Sequence, residues 1–157
     1  MPVNRGKSFE EKLKEDWIRA YPKGWIYRLK DHFDGRKGSY NISDFIAYDS
    51  GHLFIIEAKS TYESTFNIKA FTQYERLKEV HTEGAHPMVV IWFINQDKII
   101  AFPIESVVKM YEEDGLKSIN VKTYMNYEHI EIPSIKKRVF MDSDYSVILK
   151  YFQEKEQ

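Results

Sequence analysis

Apolar residues recur along the chain in two periods, which predict alternating helices and strands. Ser8 and Glu11 have the spacing of a capping box, and this predicts a helix that starts at Phe9. Pro22 follows the last apolar position of this segment and predicts the end of the helix. The buried stripe of the helix would be formed by Phe9, Leu13, Trp17 and Tyr21.

Shorter apolar runs predict strands at 25–29, 41–48, 52–59, 88–94 and 98–102, with weaker ones at 119–124 and 128–132. Further helices are predicted at 67–82, 104–113 and 144–154. The run from Met88 to Ile94 is apolar throughout, which is typical of a central strand covered on both faces. This order predicts an α/β fold of the mixed α+β kind, with a mixed sheet between helices, in a single domain over residues 1–157.

Composition narrows the classes of function. The chain has no cysteine, which excludes disulfides and Cys-ligated zinc and is compatible with a cytoplasmic protein. Its apolar runs are too short to cross a membrane, and the net charge of −1 gives no general attraction to nucleic acid. The segment 30–40 is locally basic. Candidate phosphate contacts in and beside it are Arg28, Lys30, Arg36 and Lys37, although charges in a loop are more often merely solvated.

Three charged residues interrupt the apolar pattern of the hairpin predicted at 41–59. A two-residue loop at Ser50-Gly51 would place Asp44 directly opposite Glu57. Like charges at such positions repel each other, unless a cation lies between them. Side chains alternate along a strand, so Lys59 would share the face of Glu57.

This arrangement favours metal-dependent chemistry, because burying an uncompensated carboxylate costs several kcal/mol. Mg²⁺ prefers carboxylate oxygens, water and phosphate, and Mn²⁺ is a possible substitute. Asp44 and Glu57 would hold the ion and Lys59 would orient the attacking water, as hydrolysis of a phosphodiester requires. The alternative is an ordinary cross-strand salt bridge, since an Asp followed by Glu-x-Lys is a loose pattern.

Asp44 together with Glu57-Ala58-Lys59 resembles the PD-(D/E)xK nuclease motif, and a larger part of the chain is similar to RecU-type Holliday junction resolvases. The segment from Asn4 to Glu10 resembles that family's opening motif, whose glutamate lies on the first helix. The later positions that resemble the family are Phe66, Gln73 and Leu77. Ser43 stands where the superfamily pattern has proline, and the stretch before Asp44 is shorter than the family's protruding stalk.

The resemblance implies a restriction-endonuclease-like core and a Mg²⁺-dependent, structure-selective DNA endonuclease of recombination and repair. It implies a homodimer on four-way DNA junctions, with Glu10, Asp44, Glu57 and Lys59 as catalytic residues and Gln73 as a supporting residue. Glu10 alone is also explained as an acid near a helix N-terminus, and Gln73 as an exposed helical residue. Two alternatives stay open: another nuclease of the superfamily that cuts duplex or flapped DNA, or a non-catalytic DNA-binding protein of this fold.

Four aromatic residues and two histidines are predicted to have structural rather than functional roles. Core packing or packing along a strand, rather than a surface that stacks on bases, is the interpretation of Trp25, Tyr27, Trp92 and Phe93. His81 and His86 flank Gly84 and are interpreted as loop residues rather than as a metal pair.

Overall fold

A computed structural model describes residues 5–29 and 42–156, with the backbone alone for residues 5–7. The helices are α1 (Arg5–Ala20), α2 (Tyr74–Glu79), α3 (Ile104–Val108, continued by a π-helical turn over Lys109–Glu113) and α4 (Ser146–Lys155). The strands are β1 (Trp25–Arg28), β2 (Phe45–Asp49), β3 (His52–Thr61), β4 (Thr65–Asn67), β5 (Ala85–Phe93), β6 (Lys98–Pro103), β7 (Ser118–Asn120), β8 (Ile130–Glu131), β9 (Ser134–Lys136) and β10 (Met141–Ser143).

Among the described residues, six strands form the central sheet in the order β1-β2-β3-β5-β6-β8. The pair β3–β5 is parallel and the other pairs of this sheet are antiparallel. One face packs against the apolar sides of α1 and α4, and the other packs against α2 and α3. The predicted mixed sheet between helices is therefore confirmed, and β5 is the buried central strand. Within the described residues, no helix is both long and apolar enough to cross a membrane.

Helix α1 starts at Arg5, so the predicted start at Phe9 was wrong and Ser8 lies inside the helix. A capping box is a local signal, and the Ser8–Glu11 spacing does not exclude helical residues before it. The apolar stripe was predicted correctly. Its four members, Phe9, Leu13, Trp17 and Tyr21, are all buried.

The buried stripe gives a prediction about stability. We expect Leu13→Ala to lower the free energy of unfolding by about 2–5 kcal/mol, because Leu13 is fully buried and its removal leaves a cavity. Ile18→Ala on the same helix is the matched control, since Ile18 is 52% exposed and should change stability by less than about 1 kcal/mol. Urea unfolding of both variants measures the difference, and equal losses would contradict the assignment of the buried face.

The helix predicted at 67–82 is only partly formed. A 3-10 turn covers Ile68–Ala70, the chain then leaves helical geometry at Phe71, and α2 occupies Tyr74–Glu79. The apolar side chains of this segment, Ile68, Phe71, Tyr74 and Leu77, are nevertheless all buried. They are spaced three residues apart, which suits a 3-10 turn as well as an α-helix. The spacing therefore predicts which side chains are buried better than it predicts the length of the helix.

Candidate active site

The turn between β2 and β3 has the conformation that the sequence predicts. Ser50 and Gly51 both have positive φ, 51° and 84°, as a two-residue type I′ hairpin requires. The ladder pairs Asp49 with His52 and Phe45 with Ile56. The predicted register is therefore confirmed, and it brings Asp44 to the end of the ladder beside Glu57.

Backbone and side-chain hydrogen bonds fix Asp44 just before the first residue of β2. Its N–H donates to the carbonyl oxygen of Ile56 at 3.1 Å, and its own carbonyl accepts from the Leu29 N–H at 2.8 Å. The carboxylate oxygen Oδ2 accepts from the Ala58 N–H at 2.9 Å. The Asp44 carboxylate is thus held against β3, between the positions of Glu57 and Lys59.

Ser43 occupies the position where the superfamily pattern has proline. Its side chain is buried, and its hydroxyl donates to the carbonyl oxygen of Phe45 at 2.8 Å. This hydrogen bond bridges the entry into β2, where a proline would instead restrict φ.

Glu57 is a buried carboxyl group in the middle of the sheet, only 1% exposed. Burial and the neighbouring charge of Asp44 raise its pKa to about 9, and Lys59 partly opposes this rise. The Lys59 ammonium lies 3.4 Å from Oε1 of Glu57. Oε2 of Glu57 has no hydrogen-bond partner among the described residues. A buried carboxylate oxygen without a hydrogen-bond partner lowers the stability of the fold unless a cation or a proton binds to it.

This donor set fits a hard divalent cation. Asp44 and Glu57 contribute carboxylate oxygens, and Glu57 has one oxygen that is otherwise unused. In the described part of the chain no three Asp, Glu, His or Cys side chains are close enough to form a complete metal cage. Two carboxylates are nevertheless what Mg²⁺ commonly receives from a protein, because phosphate and water fill its other positions.

Glu10 lies on α1, where its carboxylate accepts from the Arg28 guanidinium at 2.5 Å. Arg28 pairs with Phe45, and the ring of Phe9 lies 5.6 Å from that of Trp92 near the end of β5. Glu10 is therefore at the same end of the sheet as Asp44, although α1 covers the opposite face. Its catalytic role stays a prediction, as does the phosphate contact of Arg28.

The remaining predicted site residues are Gln73 and three basic residues of the segment 30–40. Gln73 directly precedes α2, and its side-chain oxygen accepts from the hydroxyl of Thr72 at 2.8 Å. Its supporting role stays a prediction. Lys30, Arg36 and Lys37 lie outside the described residues.

The interpretation of the aromatic residues was half right. Trp92 and Phe93 are buried in β5, as predicted. Trp25 and Tyr27 are 43% and 66% exposed, so they are not core residues, although their rings contact each other on the surface of the strand. Among the described residues, the helices on this side of the sheet, α2 and α3, pack mainly against β5 and β6 rather than β1. Sequence reasoning missed this pair, although alternation of Trp25 and Tyr27 with the buried Ile26 was the available signal.

A histidine pair lies at the other end of the sheet. Nδ1 of His52 and Nε2 of His86 are 2.7 Å apart, and His86 stacks on Phe152 with ring centroids separated by 3.8 Å. His86 belongs to β5, so its assignment to a loop was wrong. Burial, followed by the charges of His52 and His81, lowers the pKa of His86 to about 4. A neutral, stacked His86 at pH 7 is a packing group joining β5 to α4.

Comparison with known proteins found a matching family model and similar solved structures. Residues 37–154 match the family model described as RecU, Recombination protein U. This match includes the hairpin and extends to α4, but it begins after Glu10. No curated protein matches the chain. Among solved structures, a similar one is Hjc, a Holliday junction resolvase from Archaeoglobus fulgidus. The TM-score is 0.57 at 19% identity, over 78% of this chain and 93% of the Hjc chain, which is a likeness of fold.

Proposed function

Since the chain belongs to the RecU family of Holliday junction resolvases, we propose that Asp44, Glu57 and Lys59 form the centre at which it cuts DNA. The protein is a metal-dependent endonuclease that cleaves four-way junctions in recombination. The observation that carries the proposed centre is the buried Glu57, which has one unpartnered oxygen among the described residues and faces a second carboxylate. In a buried structural ion pair, both carboxylate oxygens normally have hydrogen-bond partners.

Each side chain has a distinct task in this proposal. Asp44 and Glu57 hold Mg²⁺, with Mn²⁺ as a substitute, and the bound ion supplies Lewis-acid stabilisation of charge on the phosphoryl oxygens. The Ala58 N–H keeps Asp44 oriented. Lys59, whose side chain is 29% exposed, donates hydrogen bonds to the attacking water and offsets negative charge as the phosphorus–oxygen bond breaks.

Residues around this centre have supporting tasks. Glu10 lies at the same end of the sheet and would act through a second ion or a water molecule, with Gln73 as a further support. Arg28, Lys30, Arg36 and Lys37 would contact phosphates, which position DNA without reading its sequence. Arg28 already forms an ion pair with Glu10. Arg28 would therefore contact a phosphate only by sharing its guanidinium between Glu10 and the phosphate or by leaving Glu10.

We also propose that the protein works as a homodimer. Resolution of a four-way junction needs two symmetric cuts on opposite strands. A two-fold dimer supplies two identical centres in matching orientations, whereas a monomer would have to rebind between cuts.

The test compares a four-way junction with a linear duplex of the same sequence, each with Mg²⁺. We expect symmetric nicks in the junction, little cutting of the duplex, and junction binding that weakens as salt rises. Lys59→Ala should retain binding and lose cutting. Equal cutting of the duplex would instead favour a restriction or repair nuclease, and binding without any cutting would favour a non-catalytic protein.

A further inference from the structure

Exposed aromatic rings lie on the face of the sheet that carries the proposed cutting centre. Tyr27 pairs with Ile46 and Trp25 pairs with Tyr48 across the β1–β2 ladder, so these side chains share one face. Asp44 is two residues before Ile46 and points the same way, by the alternation of a strand. The row of Glu57 and Asp44 continues to Leu29, the next row on this face contains Tyr27, and the row after it contains Trp25 and Tyr48.

The spacing of these rows suits a DNA strand. Side chains on one face of a strand recur about every 6.6 Å, so Tyr27 lies about one row and Trp25 about two rows from Asp44. Bases attached one or two nucleotides away from the cut phosphate would reach these positions. The aromatic surface is continuous with the cutting centre rather than a separate patch.

The rings form a surface of their own. The Trp25 and Tyr48 ring centroids are 5.8 Å apart with planes inclined by 17°, and those of Trp25 and Tyr27 are 5.5 Å apart. All three residues are at least 39% exposed. In the described part of the chain, α2 and α3 pack against β5 and β6, which lie on the far side of β3 from the rings.

We propose that Tyr27, Trp25 and Tyr48 form a stacking surface for the bases of an unpaired or splayed DNA strand next to the cut phosphate. This inference rests on the proposed cutting centre and adds the part of the substrate that lies beside it. Aromatic rings stack on any base, so such a surface selects open DNA structure rather than sequence. Base pairs in linear duplex keep their bases stacked on one another and would not use it.

The structure provides a spectroscopic reporter for this contact. Trp17 and Trp92 are buried, whereas Trp25 is 43% exposed. With metal removed by EDTA, we expect a four-way junction or a single-stranded oligonucleotide to quench the Trp25 emission, and linear duplex to leave it nearly unchanged. Trp25→Phe should remove the quenched signal and keep binding.

Binding measurements on Tyr27 variants separate stacking from simple exposure. Tyr27→Leu should weaken junction binding about tenfold, whereas Tyr27→Phe should bind like the wild type because it keeps the ring. Ile135→Ala is the control, since Ile135 is 67% exposed and Tyr27 is 66% exposed. It should change nothing.

Three results would overturn the stacking surface. The first is that the junction does not quench the Trp25 emission, and the second is that the Leu and Phe variants of Tyr27 bind the junction equally well. The third is that Tyr27→Leu no longer forms dimers in a sedimentation experiment, which would assign this face to a second copy of the chain. If the proposed cutting centre is wrong, the results differ. The protein would not cut the junction, but the junction would still quench the Trp25 emission and binding would still depend on the Tyr27 ring.

Discussion

Asp44→Asn should slow junction cleavage about 10²–10⁴-fold while leaving the fold intact. Asparagine keeps a side-chain oxygen that can accept the Ala58 N–H, so the substitution removes charge without removing the hydrogen bond. The lost rate corresponds to the several kcal/mol by which a positioned cation stabilises charge in the transition state. Single-turnover nicking of a four-way junction measures the rate, and binding in EDTA measures retained affinity.

Glu57→Gln should give a loss of the same size for the same reason. The matched control is Glu105→Gln, since Glu105 pairs with His81 at the opposite end of the sheet. It should cut at the wild-type rate. Near-normal cutting by both Asp44→Asn and Glu57→Gln would show that the cutting centre does not lie in this hairpin.

The hairpin was predictable because its determinants are local. Ser50-Gly51 sets the turn, the turn sets the register, and the register brings Asp44 beside Glu57. No long-range information is needed for that chain of steps. The depth at which Glu57 is buried, by contrast, depends on how α2 and α3 cover the sheet.

Features that depend on strand order could not be read from the sequence. Alternation with the buried Ile26 separates Trp25 and Tyr27 from the core, but only the strand order shows that, among the described residues, α2 and α3 lie over other strands. The distance of Glu10 from Asp44 likewise depends on how α1 crosses the sheet. The pairing of His52 with His86 arises only because β3 and β5 are adjacent and parallel, although 34 residues separate them in the chain.

The buried carboxyl of Glu57 should make the metal-free protein less stable as pH rises. Its pKa is raised from an ordinary 4.5 to about 9 in the folded state, so the folded state binds this proton more tightly than the unfolded state does. The stability gained from that proton is fully present below pH 4.5 and is lost progressively as pH rises toward 9. The slope from this one group is at most about 1.4 kcal/mol per pH unit.

Urea unfolding of the wild type and Glu57→Gln between pH 5 and pH 9, in EDTA, isolates this contribution. The wild type should lose stability relative to the glutamine variant as pH rises, whereas Glu105→Gln should follow the wild type. Parallel curves for the wild type and Glu57→Gln would show that Glu57 does not hold a proton in the folded protein.

The same proton should govern metal binding and cleavage. A divalent cation at Asp44 and Glu57 must displace the proton of Glu57, so metal affinity should increase by up to about tenfold per pH unit until pH 9. At subsaturating Mg²⁺ the cleavage rate should therefore rise with pH, and at saturating Mg²⁺ the dependence should flatten, because the cation then outcompetes the proton. Calorimetric titration in buffers of different ionisation enthalpy measures the released proton directly. Metal binding without proton release at pH 7 would contradict this coupling.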